Sequence, residues 1–151
     1  MNKKFTKEDI IKKHQTNVKS AQGVFALAGM LGIIYIVRYF ITGNFDFYFS
    51  LSFTQVWLTK IAEGTASADL GYSLSAIFIV AYFALCAVSA KKAKYLSNAL
   101  SLYILDFAAL IYSLITTPSF SADSLIDVIL HVFVTVFLIA GIKSEKALRE
   151  N

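Results

Sequence analysis

The sequence predicts an all-α integral membrane protein: an antiparallel bundle of four transmembrane helices with both termini in the cytoplasm. Three observations predict it. Hydrophobic residues make up 57% of the 151 and the mean hydropathy is +0.63, above the apolar share of about 45–50% in a soluble domain. Four apolar runs, at about residues 24–41, 71–90, 95–116 and 124–142, match the roughly 20 helical residues that cross a hydrocarbon core. The charges also sort by side. Lys3, Lys4, Lys7, Lys12, Lys13 and Lys19 precede the first run, Lys91, Lys92 and Lys94 fill the second loop, and Lys143, Lys146 and Arg149 follow the last run. The first loop sets Lys60 against Asp46, Glu63 and Asp69, and the third carries Asp123 alone. The positive-inside rule then places a basic amphipathic segment (1–20) and a tail (143–151) in the cytoplasm, flanking a transmembrane domain over 21–142.

In the N-terminal segment, Thr6 caps a helix starting at Lys7, with Asp9 at its third position and Phe5 and Ile10 at staple spacing. Ile10, Ile11, His14 and Val18 share one side, as expected of a helix lying on the inner membrane surface. A charge cluster that only sets topology accounts for the lysines, and His14 is given no separate role. The first span carries Ala28 and Gly32 at small-xxx-small spacing, with Gly29 between them, which favours close helix contact. Tyr35 and Tyr39 lie toward its outer end, where aromatic belts sit.

The outer first loop (42–70) contains NFDFYFSLSFTQ, in which Phe45, Phe47, Phe49, Leu51 and Phe53 occupy alternate positions. Alternation is a strand signal, but an open strand in lipid leaves its backbone groups unpaired. A fifth span at this point would throw the KKAK loop outside and spoil the charge asymmetry. The expectation is an extended piece over 45–51 lying outside or at the interface. A short interfacial helix over 53–63 then follows, capped by Ser52 and Gln55, closed by Gly64 and anchored by Trp57.

Four ionisable residues fall inside spans: Arg38, Asp106, Asp127 and His131. Such groups disfavour insertion by roughly 2.5–3.5 kcal/mol for Asp or Arg at a helix centre, so each needs a reason. At about 1.5 Å per residue, Asp106 falls near the centre with His131 slightly outward of it, and Arg38 and Asp127 share a depth farther out. Two contacts are expected, a buried polar pair or proton relay between Asp106 and His131 and an outer ion pair between Arg38 and Asp127. Asp127, His131 and Thr135 share one helix face, as do Ala99, Asp106, Ala109 and Ser113, and Asn98, Ser101 and Tyr103 extend a polar line toward the cytoplasm.

No cofactor, metal site or catalytic residue is expected. The sequence has two histidines and one cysteine, Cys86, which reads as a small packing residue, and it lacks zinc-protease and serine-hydrolase motifs. The lysines come without a nucleic-acid-binding motif, so nucleic acid is not an expected partner. The expected partners are the lipid bilayer and either another membrane protein or a second copy, and the expected location is a plasma membrane of bacterial type.

Two functions fit this sequence. In the first, the protein is non-enzymatic and acts by interaction, as an accessory, assembly or regulatory component. Its surface is then Phe45, Phe47, Phe49, Phe53 and Trp57, and the Asp/His pair is structural. In the alternative, it is a small proton- or ion-coupled transporter or channel that uses Asp106 and His131.

Overall fold

The computed structural model describes residues 6–43, 49, 51–116 and 122–150. Helix α1 runs over Lys7–Thr42, α2 over Ser52–Ala62, α3 over Ala68–Lys91, α4 over Leu96–Thr116 and α5 over Ala122–Arg149. A short 3-10 turn at Ala93–Tyr95 joins α3 to α4. Among the described residues there is no strand, and α1, α3, α4 and α5 are each long and apolar enough to cross a membrane. These four form a ring in which α1 lies against α3 and α5, and α4 against α3 and α5.

The distribution of side chains suits a lipid solvent. Ile33, Val37, Phe40, Ile77, Val80, Ile115 and Val136 are exposed, while Asp106, Asp127, His131, Ser75 and Ser89 are buried. In water such a surface would drive association, whereas in lipid it is the surface that needs no partner.

The α1 helix starts where the capping residues direct. The Asp9 N–H donates to Thr6 Oγ1 (3.2 Å) and the Thr6 N–H donates to Asp9 Oδ2 (3.0 Å), forming a reciprocal box. The Thr6 hydroxyl also donates to Asp9 Oδ2, and these bonds hold the Asp9 carboxyl below its ordinary range. The proposed staple residue Phe5 lies outside the described residues. Residues 7–20 do not form a separate surface segment. They are the first turns of a continuous 36-residue helix, whose inner part is covered by α5. Asn17 Nδ2 donates to Ser144 Oγ (3.1 Å), which also lies 3.1 Å from His14 Nδ1, so His14 is a packing-face polar group. His14 and Val18 of the amphipathic stripe therefore pack against the protein, while Ile10 is exposed.

The small residues of α1 serve the close contacts their spacing predicts. Ala28 is buried, and a side chain on Gly29 would meet Cys86 Sγ at 2.9 Å. Gly32 faces the side chain of Leu51, which is not part of any long helix. That contact places the first loop inside the bundle.

Candidate functional site

Of the segment between Gly43 and Gly64, the described residues Phe49 and Leu51 and the start of α2 lie among the long helices, deeper than the expected outer or interfacial position. Phe49 and Leu51 are 1% and 0% exposed, as deeply buried as any core residue. Phe53 stacks on Phe78 of α3, with ring centroids 4.7 Å apart. Phe45 and Phe47 lie outside the described residues, and so does most of the expected extended piece. Trp57, farther along α2, is half-buried and packs edge-on against Phe53.

The helix within this segment begins at Ser52, one residue before the expected start at Phe53, so Ser52 is its first residue and not its N-cap. Its N-cap position is Leu51, which has no capping side chain. The missing acceptor comes from across the bundle: Asp106 Oδ1, on α4, accepts the Phe53 N–H at 2.8 Å. Asp106 is fully buried midway along the 21 residues of α4, about 15 Å from either end of that helix. The positive end of α2 is thereby set against a carboxylate. A non-helical backbone can reach this depth because protein surrounds it and a carboxylate satisfies its leading amide, and the argument that excludes a lipid-exposed strand does not apply to it.

The second oxygen of Asp106 faces His131 of α5, with Oδ2 3.4 Å from Nε2. The other ring nitrogen, Nδ1, lies 2.9 Å from the Asp127 backbone carbonyl and 3.0 Å from Asp127 Oδ1. Asp127 is thus held against His131 on its own helix, while Arg38 lies on the exposed face of α1. The geometry joins three of the four in-span ionisable residues into a chain of Asp106, His131 and Asp127.

The chemistry of the donors and acceptors fixes where protons sit. Two acceptor oxygens at Nδ1 assign a proton to that nitrogen. An unprotonated Nε2 and an ionised Oδ2 would repel each other, so the long contact between them also carries a proton, on one atom or the other. Moving that proton from one atom to the other would convert imidazolium and carboxylate into imidazole and carboxylic acid without moving a heavy atom. Thr135 donates its hydroxyl to the His131 backbone carbonyl (2.8 Å), which continues the polar face by one turn.

Aromatic rings close the site. Phe49 of the inserted segment stacks on the imidazole at 5.1 Å and 10°, and Tyr103 and Phe107 of α4 lie near-parallel to it at 5.1 and 5.6 Å. A chain of ring contacts continues from Tyr103 through Phe25, Tyr82 and Phe78 to Phe53. The rings of Phe49, Tyr103 and Phe107 cover the imidazole, one of them contributed by the inserted segment and two by α4. Tyr103 faces inward as expected, whereas Asn98 and Ser101 are exposed and do not extend the polar line.

Sequence reasoning missed the Phe53 N–H, a backbone group that no side-chain pattern signals, and the stack of Phe49 on His131. One signal was available, since Leu51 is an unsuitable N-cap and an uncapped helix start needs an acceptor from elsewhere. No protein-family model, curated protein or solved structure matches this chain, so the functional argument rests on this geometry. Among the described residues there is also no cluster of histidine, cysteine and acidic side chains that fits a metal ion.

Proposed function

We propose that this protein is a small proton-coupled membrane transporter or channel, whose inserted segment is a gate latched by the Asp106–His131–Asp127 triad. The observation that carries this reading is the double engagement of Asp106, whose Oδ2 meets His131 and whose Oδ1 holds the first turn of α2. A proton gained or lost at the triad changes the charge that the positive end of α2 sees, so protonation and seating of the segment are thermodynamically linked. Imidazole is the side chain whose ordinary titration spans physiological pH, and short helices pointing a terminus at the middle of a bundle are a common device of ion and substrate pathways. The charge asymmetry of the loops supports an outer position for Gly43 and Gly64, and with it the reading of the segment as an outer gate. Docking through the aromatic loop draws less support, because Phe49 and Phe53 are turned inward and Trp57 is half-buried.

The test uses purified protein in liposomes, a trapped pH-sensitive dye and an imposed potential. Wild-type protein is expected to pass protons faster than empty liposomes, and Asp106→Asn and His131→Gln to reduce the flux to background. Trp57 is the one tryptophan in the chain, and its emission reports whether α2 is still seated. No flux from wild-type protein, or undiminished flux from Asp106→Asn, would refute the reading.

A further inference from the structure

A second site borders the same inserted helix on its opposite flank. A cavity of about 580 Å³ lies between α1, α2 and α3, within the roughly 300–1,000 Å³ typical of small-molecule sites. Its apolar wall includes Ile36, Leu58 and Ile79, and its mouth is bordered by Phe40 and Tyr72, which are 81% and 58% exposed. Both belong to helices long and apolar enough to span a membrane, so the mouth opens sideways on the lipid-facing surface.

Three further residues bordering the cavity are Tyr35, Thr54 and Ser75, only 2%, 4% and 4% exposed. The side-chain oxygens of all three are buried with no hydrogen-bond partner. Buried hydroxyls are ordinarily paired; the described residues hold five that are not, two of them on Tyr82 and Tyr103 away from this cavity, and the three around the cavity, one from each of its helices, can be met by a common partner. Among the described residues no Lys, Arg, His, Asp or Glu borders the cavity, so an ionic head would find no charged partner in these walls. A neutral head that can both donate and accept would satisfy hydroxyls, which do both.

We propose that this cavity binds a neutral single-chain lipid with a hydroxyl-bearing head, of the monoacylglycerol class. The lipid enters from the bilayer between α1 and α3 with its head toward Tyr35, Thr54 and Ser75 and its chain trailing past Phe40. Thr54 follows Phe53, whose N–H is held by Asp106, so the lipid head touches the first turn of the inserted helix. This inference is independent of proton transport, because a lipid site beside α2 stands whether or not the triad moves protons.

The experiment is photolabelling in phosphatidylcholine liposomes with a monoacylglycerol carrying a diazirine near the end of its chain, with labelled sites mapped by mass spectrometry. Labelling is expected to concentrate in the outer turns of α1 and the first turns of α3 and to be competed by monoolein, but not by oleate at the same mole fraction. The double variant Thr54→Val, Ser75→Ala should lower site-specific labelling about tenfold, and Ala76→Trp, which fills the cavity from its exposed side, should abolish it. Both variants should melt within a few degrees of wild type, since the hydroxyls hold nothing in the fold. Labelling spread evenly over the lipid-facing surface, labelling unchanged in either variant, or equal competition by oleate would overturn the proposal. Unfolding of the double variant would overturn it too, because it would show the hydroxyls to be structural.

Discussion

At the end of the bundle that carries the chain termini, α1 meets α5 through small residues and neutral hydrogen bonds. Ala21 is fully buried, Gly141 lies so close to it that no Cβ fits, and Asn17 Nδ2 donates to Ser144 Oγ at 3.1 Å, while Gln22 Nε2 ties α1 to the Ser89 carbonyl of α3 at 2.7 Å. At the other end the four spans part around α2, and the interior holds two carboxylates, an imidazole and a helix terminus. The first arrangement fills space with backbone and needs no charge. The second gives up helix-to-helix contact for an inserted element and seats it with groups that are expensive to bury. On the proposed reading, the contrast separates a clamp from a seat that a proton could release, since the seat is held by titratable groups and a Gly–Ala contact is not.

The largest expected effect tests whether these halves are held by different means. Asp106→Ala leaves the Phe53 N–H without its acceptor and His131 without one of its carboxylates, and removing one partner of a buried pair typically destabilises by about 3–5 kcal/mol. Its melting temperature should fall and Trp57 emission should shift to longer wavelength as α2 leaves its seat. Gly141→Leu forces α1 from α5 and should destabilise by about 1–3 kcal/mol through overpacking, with Trp57 emission unchanged in the folded fraction. An equal Trp57 shift in both variants would show that the two ends move as one body.

The parts of the molecule that follow from local physics were legible in the sequence. The four apolar helices, the Thr6 to Asp9 box, the start of α2 where the apolar period changes and its closure at Gly64 each depend on a few neighbouring residues. The approach of Asp106 to His131 was legible from depth alone, because helical rise converts position into height. Depth did not reveal that Asp127 also contacts His131 one turn along its own helix. Nor did the alternation of the phenylalanines reveal their destination, since a run with one apolar face suits a membrane surface and a protein interior equally well. The deciding interaction, a side chain of α4 capping a helix 53 residues earlier in the chain, has no local signature.

A smaller effect is expected where the inserted segment joins the spans. Gly43 and Gly64 bracket it, with φ of +66° and +69°, a left-handed conformation that other residues adopt at a cost of roughly 1–2 kcal/mol. Open space surrounds both positions, so an alanine there adds backbone strain without a clash. Gly64→Ala should lower stability by about 1 kcal/mol, seen as a modest drop in melting temperature with the Trp57 spectrum preserved. A loss several times larger would mean that this turn, and not Asp106, is what holds α2 in place.

The smallest expected effect concerns pH at the opposite end. The hydrogen bonds from Thr6 hold the Asp9 carboxyl below its ordinary value of 3.8, so ionised Asp9 is the form the folded helix start prefers. For a carboxyl lowered in the folded state, the stabilisation is fully present above pH 3.8 and is lost as pH falls through the lower folded value. The backbone amides of α1's first turn should therefore remain protected at pH 5 and fray only below about 3.8. Amide resonances of Asp9 and Ile10 in micelles report this directly. Thr6→Ala should fray the turn at both pH values and remove the step between them. Because the capping box is exposed, its release should leave Trp57 undisturbed at the same pH. A change at Trp57 that tracked Asp9 titration would tie the clamp to the gate and remove the distinction between the two ends.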